Sequence, residues 1–491
     1  MVNFQEASIE GKLLTRPLHA YTFGKWSDFS NMKIFIQRRA GASLLIIATL
    51  FFVAACGGES KEGRGDSASE PAAEKSAQKT QQDWPLFRRD AEMQGVSLED
   101  MKAPLKLVWE FDPSEDAATD DGENGVSKVS AQSSKKESGK ELTKESVVSK
   151  KGSKSSKKRK RGYPILATAV IVDGLVYLGT EEARFFCLDL KDGSKRWEFE
   201  SDGSISGPAA VFGDKVYFGC QSGFLYALDR KSGKELWRFE TDDKIEGGVN
   251  ALEVMDSATG NLQMRLFVGS YDNHLYAVDA KTGKMIWKYE TDNYLVATPS
   301  VVGGDTPSVI VGGCDGLLHV ISAESGKETR NFDIGAYIPN SAGVRDGIAY
   351  VAHFGGEIGA YDVNAGEEVW KVTAGNSGRM VELYASPAVT RNRVYVGGRD
   401  KLLRCLDRVN GEEVWRFTTR KDVDSSAVVC ESAVYVGGMD GRLYAIDPES
   451  GEELWSYDIG ANLSASPAIA GGTLVISSED GVVYAFREQG N

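Results

Sequence analysis

Histidine and cysteine are scarce in this chain, four and six residues of 491, with no adjacent cysteines and no C-x-x-C. The four histidines (His19, His274, His319, His353) are too few and too scattered for a zinc site. With Cys56 set aside for its context, an odd five cysteines remain. They are predicted to be packed thiols with no structural disulfide. Positive charge is in deficit: the net charge of −14 argues against a nucleic-acid-binding body. Long apolar runs are also nearly missing. The one run, Ala40 to Ala55, is too short to span a bilayer comfortably. The acidic stretch "DDGENG" (120–125) lacks the ligand spacing of a calcium loop and reads as solvated loop.

The apolar run is preceded by Lys33, Arg38 and Arg39 and ends in Val53-Ala54-Ala55-Cys56. A basic start, a short apolar core and small residues before a cysteine read as an export signal, with a transmembrane anchor as the alternative. The stretch resembles the lipobox of bacterial lipoproteins. That resemblance implies lipidation at Cys56, residues 32–55 as signal peptide, and translation starting at Met32, with 1–31 as a mis-assigned extension. Gly57 and Gly58 follow, without the Asp of inner-membrane retention, so the expected location is the outer membrane, facing the periplasm. Residues 56–82 hold no aromatic residue and are predicted to be a disordered tether.

Glycine, at 54 residues, is abundant, and from position 163 to 488 one unit recurs eight times. It runs apolar stretch, "VYVGG", turn, "LYALD", "xxSG", "xxxWxF", which reads as four short strands. β-Branched and aromatic residues fill the second strand. The Asp ending the third strand (Asp189, Asp229, Asp279, Asp362, Asp407, Asp447) is placed for an Asx-turn. The Gly four residues later (Gly193, Gly233, Gly283, Gly326, Gly366, Gly411, Gly451) is expected at positive φ. Trp109, Trp197, Trp237, Trp287, Trp370, Trp415 and Trp455 share one column in the fourth strand, seven of nine tryptophans. They read as structural docking residues between repeats. Arg330 stands in that column in the fourth repeat, which is therefore expected to pack least tightly. Four-stranded units recurring every 40–50 residues predict an all-β, eight-bladed β-propeller of antiparallel blades. The last repeat lacks a tryptophan strand; "LKLVWEFD" (105–112), in the segment 83–112, is predicted to supply it and close the ring.

The repeat resembles the PQQ-like β-propeller family, and "DWPLFRRDAEMQGVS" (83–97) is similar to the opening of its members. The resemblance implies the fold and two branches of function. Quinoprotein dehydrogenases hold pyrroloquinoline quinone and Ca²⁺ in the ring; BamB-type lipoproteins use the ring, without cofactor, in outer-membrane β-barrel assembly. The dehydrogenase branch implies an adjacent Cys-Cys pair, which is missing. Cys187 and Cys405 occupy small-residue positions of third strands, and Cys220 and Cys314 lie in second turns. The expected function is a non-enzymatic scaffold for protein–protein interaction, with no catalytic, cofactor or metal residues. The alternatives are a quinone-dependent dehydrogenase relative and a ligand- or polysaccharide-binding propeller.

Between 113 and 162 lies an acidic, then basic insertion, expected to be disordered. Residues 128–161 carry 13 Lys/Arg against 3 Glu, leaving the rest of the chain near −24 by subtraction from −14. The basic run offers a patch for anionic envelope polymers or for the acidic ring itself. Partner contacts are expected on the face shared by the links between blades and the second turns. Candidates there are Tyr294, Tyr337 and Tyr384 in three successive links, with Tyr271, Phe354, Arg379 and Arg399 nearby, residue types enriched in binding hot spots. Tyrosines lining the central channel would be the purely structural alternative.

Overall fold

In the computed structural model, residues 83–116, 162–257, 259–375 and 380–490 are described. Cys56, the signal, the tether, the insertion 117–161 and Arg379 lie outside the described residues.

Eight four-stranded antiparallel sheets are present, seven built from consecutive strands. They span 170–200, 210–240, 250–290, 300–333, 343–373, 388–418 and 428–458, taken here as blades 1 to 7. Blade 2 shows the pattern: Ala210–Phe212, Lys215–Gly219, Phe224–Asp229 and Glu235–Glu240, from the channel outward. The second and third strands are buried along nearly their whole length, whereas the fourth alternates exposed and half-buried residues. Strands covered on both faces therefore read as continuous apolar runs, and only the outermost keeps a polar face. Blade 8 joins Ala468–Ala470, Thr473–Ser477 and Val483–Glu488 to Leu105–Phe111, so the predicted closing strand is in place.

The tryptophan column joins each blade to the next. Trp197 donates its indole N–H to the Arg230 carbonyl at 3.0 Å, and its ring covers Gly233 of blade 2. Trp109, Trp287, Trp370 and Trp415 make the same bond to Leu190, Ala323, Arg408 and Pro448. A Cβ on Gly233 would stand 2.5 Å from the indole. The turn glycine is thus required twice, for its φ of +70° and for the ring above it. Trp237 differs: Tyr217 occupies the equivalent carbonyl, that of Ala280, and the Trp237 indole nitrogen is without a partner among the described residues. In blade 4 Arg330 takes the indole's place, its guanidinium over Gly366 of blade 5. Trp455 packs instead on Phe486, an edge-to-face pair at 6.1 Å. Cys187, Cys220, Cys314, Cys405 and Cys430 are buried free thiols, and burial pushes Cys187 up to about 12.

Candidate functional site

The first strands of all eight blades surround a central channel. Hydroxyls form a collar where these strands begin. Ser466 donates its backbone N–H to Thr168 Oγ1, Ser426 to Ser466 Oγ, Ser386 to Ser426 Oγ and Ser341 to Ser386 Oγ, at 2.9–3.1 Å. Gly248 likewise donates to Thr298. Each hydroxyl thus satisfies a neighbouring blade's buried backbone group, which accounts for the "SP/SA" pattern opening the repeats.

One end of the channel is closed by residues 84–97. Carbonyls of Trp84, Pro85, Ala91, Glu92, Gln94 and Gly95 accept N–H groups from Ile171, Val211, Val301, Val344, Val389 and Val429. These are the inner strands of six different blades. Phe87 forms the floor, and beside it Arg88, 1% exposed, donates to the carbonyls of Ala427 and Pro387. Burial pulls Arg88 down to about 9 against the attraction of Asp90. Above this plug a cavity of about 190 Å³ remains, lined by the collar hydroxyls, Gly207, Gly247, Gly248, Asn340, Glu246, Asp424 and Tyr384.

The open mouth lies among the links between blades and the second turns, which are joined by bonds such as Gln221 N–H to the Ser204 carbonyl. The structure brings the candidate residues together in two groups. Tyr271 and Tyr294 stack in parallel at 4.5 Å with the Lys244 ammonium 3.8 Å above the Tyr271 ring. Burial, then the bond to Glu246, raise the Tyr271 pKa. Phe354 packs against Tyr384 at 4.5 Å, and the Arg399 guanidinium lies 3.5 Å over Tyr384. Arg399 is held by Asp424 and Glu382 at 2.9 Å each; burial opposes its charge, but these carboxylates outweigh it and raise its pKa. Tyr337 stands between the groups, 51% exposed. Of the three link tyrosines only Tyr384 lines the channel.

Second-turn acids hold the rim by bonds to third-strand side chains: Tyr276 to Asp272, Tyr444 to Asp440, Arg404 to Asp400 and His319 to Asp315. His319 replaces the tyrosine but does more, because its other nitrogen meets Glu328 at 2.7 Å. The plug and the collar are functional-site features that the sequence reading missed. The recurrent Ser/Thr before Pro or Ala was the available signal for the collar.

A tricarboxylate quinone would need cationic partners in the channel. The lining has none: Glu246 and Asp424 are acidic, Arg399 at the mouth is already neutralised, and Arg88 faces carbonyls beneath the floor. The residues present do not fit that cofactor. Among the described residues no three His, Cys, Asp or Glu side chains are grouped to hold a metal, and no helix is long and apolar enough to cross a membrane.

Comparison with solved structures finds the fold again. BamB from Moraxella catarrhalis matches with a TM-score of 0.54 at 18% identity, covering 66% of this chain and 95% of that one. The computationally designed Ika8 protein matches at 0.55 and 16%, covering 66% and 96%. Quinohemoprotein alcohol dehydrogenase from Comamonas testosteroni matches at 0.61 and 14%, covering 84% of each. At these identities the likeness is one of fold, which scaffolds and enzymes share. No curated protein matches the chain. The sequence itself matches the family described as outer membrane protein assembly factor BamB over residues 107–262, 221–398, 314–420 and 399–491. From strand 105–111 to its C-terminal blade, the chain belongs to that BamB family of PQQ-like repeat propellers.

Proposed function

We propose that the protein is a non-catalytic scaffold of the bacterial envelope, a periplasm-facing lipoprotein that binds a protein partner in outer-membrane β-barrel assembly. The observation that carries this reading is the strip of aromatic and arginine side chains on the channel-mouth face. Tyr271–Tyr294, exposed Tyr337 and Phe354–Tyr384–Arg399 occupy adjoining links and turns of blades 3 to 6. Rings already packed against one another lose little side-chain freedom on binding, which is how rigid anchors favour association. The channel beneath supports the same reading, since its acidic, hydroxyl-lined wall has no place for the quinone of the dehydrogenase branch. The test is a photocrosslinking residue in place of Tyr337, with products identified after purification from the protein's own membrane. Capture of the barrel-assembly protein supports the scaffold; recovery of the chain alone with quinone absorbance refutes it.

A further inference from the structure

The turns between third and fourth strands lie on the face opposite the channel mouth. Leu190 and Arg230 in these turns donate N–H groups to Gly174 and Asp214 in the first turns of their blades. The plug leaves across the same face, where Glu99 accepts N–H groups of Gly471 and Gly472, and Asp100 that of Ser432. On blades 1 to 4 these turns expose Lys191, Lys231, Lys234, Lys281, Lys284 and Lys327. The ion pairs nearby are made by other cations: Arg196 with Asp189, Lys215 with Asp214, Arg230 with Asp173 and Arg238 with Glu235. Asp229 and Asp279 are engaged by N–H and hydroxyl groups of their own turns, leaving Asp192 and Glu324 as the exposed acids of these turns, with Asp305 exposed in the first turn of blade 4 on the same face. On blades 5 to 7 the same turns expose Glu367, Glu412, Glu449 and Glu452 instead. These turns are divided into a lysine arc and a glutamate arc, while the first turns on the same face expose Asp305 in blade 4 and Arg391 in blade 6.

We propose that the lysine arc of blades 1 to 4 docks the ring on anionic lipid headgroups, turning the plugged face to the bilayer and the channel mouth away from it. Around the lysines the turns carry Ser, Thr, Gly and Ala with the two acids Asp192 and Glu324, and no aromatic anchor. Protein interfaces are depleted in Lys and built on Tyr, Trp and Arg. Flexible ammonium charges suit diffuse attraction to a charged surface, at about one kcal/mol, or roughly five-fold in affinity, per lysine. The chain also reaches the ring inside this arc: Asp83 accepts the Asp173 N–H in the first turn of blade 1, 27 residues after Cys56. The choice of a bilayer as partner rests on the lipoprotein reading of Cys56. Repulsion of the glutamate arc would tilt blades 5 to 7 away from the surface.

The test uses the unacylated chain from Gly57, which retains all the described residues. It is floated with vesicles of phosphatidylcholine alone or mixed with phosphatidylglycerol. Binding to the mixed vesicles only, weakened by salt, is expected. Lys231→Gln, Lys234→Gln, Lys281→Gln and Lys284→Gln combined should reduce it several hundred-fold, taking roughly five-fold per lysine. Glu412→Gln with Glu452→Gln should not weaken it. A quadruple variant that floats like its parent overturns the proposal and assigns the attraction elsewhere, residues 128–161 included. Loss of a crosslinked protein with vesicle binding intact also overturns it, in favour of an acidic protein partner. The acyl state of Cys56 is read separately, from the mass of protein extracted from its own membrane. An unmodified Cys56 removes the lipoprotein reading and leaves the vesicle result standing.

Discussion

Replacing Gly411 with alanine separates the two reasons for the glycine that follows the third strand in blades 1 to 7. Gly411 has φ +74°, and a Cβ there would stand 2.6 Å from Cε3 of Trp370. Gly174 is also left-handed, at φ +72°, but has nothing within 4 Å of the same point. Gly174→Ala should therefore cost only the left-handed penalty, about 1–2 kcal/mol. Gly411→Ala adds a collision with a ring that cannot easily retreat. Its indole N–H is bound to the Arg408 carbonyl at 2.9 Å, and Tyr350 lies against it at 5.9 Å. Overpacking of this kind adds about 1–3 kcal/mol, for a total of ~2–5. In a Trp370→Leu background the collision disappears, and the alanine should revert to the cost seen at Gly174. The expected coupling is thus about 1–3 kcal/mol. Urea unfolding of the four proteins of this cycle, with Gly174→Ala alongside, measures it. If Gly411→Ala costs the same with and without the indole, the glycine serves φ alone and the docking argument is wrong.

Trp109→Ala should destabilise by about 3–5 kcal/mol, because it empties the contact joining the closing strand to blade 1, and excision of residues 83–112 should abolish cooperative unfolding in a melt. His319 sits between Asp315 at 3.0 Å and Glu328 at 2.7 Å. Burial opposes its charge but the two carboxylates outweigh it, so its pKa is raised above the usual 6.5. Its stabilisation is complete below 6.5 and is lost as pH rises through the raised value; Asp315 and Glu328, both lowered, lose theirs as pH falls through the values they have in the fold. The difference in Tm between the parent and His319→Gln should be largest near pH 6 and shrink on the alkaline side, and a difference independent of pH would rule out a charged imidazole. Arg399→Ala should weaken partner capture about ten-fold or more while Tm moves little, a hot-spot-sized effect; equal capture would remove Arg399 from the interface.

The ring was readable because each strand position carries the same burden in every blade. The Asp, Gly and Trp of the repeat recur at fixed offsets, and each makes a bond or contact that its neighbours in the ring repeat. The closing strand was legible through the same column, since Trp109 lacked a blade and the last blade lacked a tryptophan. The pairing of Tyr271 with Tyr294 and of Phe354 with Tyr384 and Arg399 was not legible, because it depends on how links from adjacent blades overlap in space. The plug escaped notice for a different reason. Residues 84–97 have no periodicity of their own; they borrow hydrogen bonds from six blades, and no local pattern encodes a segment whose partners are all remote. The surroundings of His319 were not legible either, since only the fold brings Glu328, on the neighbouring strand, to its second nitrogen.

The same reasoning says which features the fold does not explain. The residue after the turn glycine is exposed in every one of these turns, apart from the aspartate bonds and the indole contact that define the turn itself. Packing therefore places no demand on its charge. Yet Lys234, Lys284 and Lys327 follow that glycine in blades 2 to 4, and Glu367, Glu412 and Glu452 follow it in blades 5 to 7. Dispersing three lysines and three glutamates around the ring would lower like-charge repulsion within each arc, so segregation is slightly unfavourable to the isolated ring. A charge pattern that stability opposes and packing ignores is what the proposed contact with an anionic surface on one side of the ring would account for. The stacked rings and paired arginine of the channel-mouth face suit the proposed shaped partner; the exposed lysines of the plugged face, which make no ion pair among the described residues, suit the proposed surface.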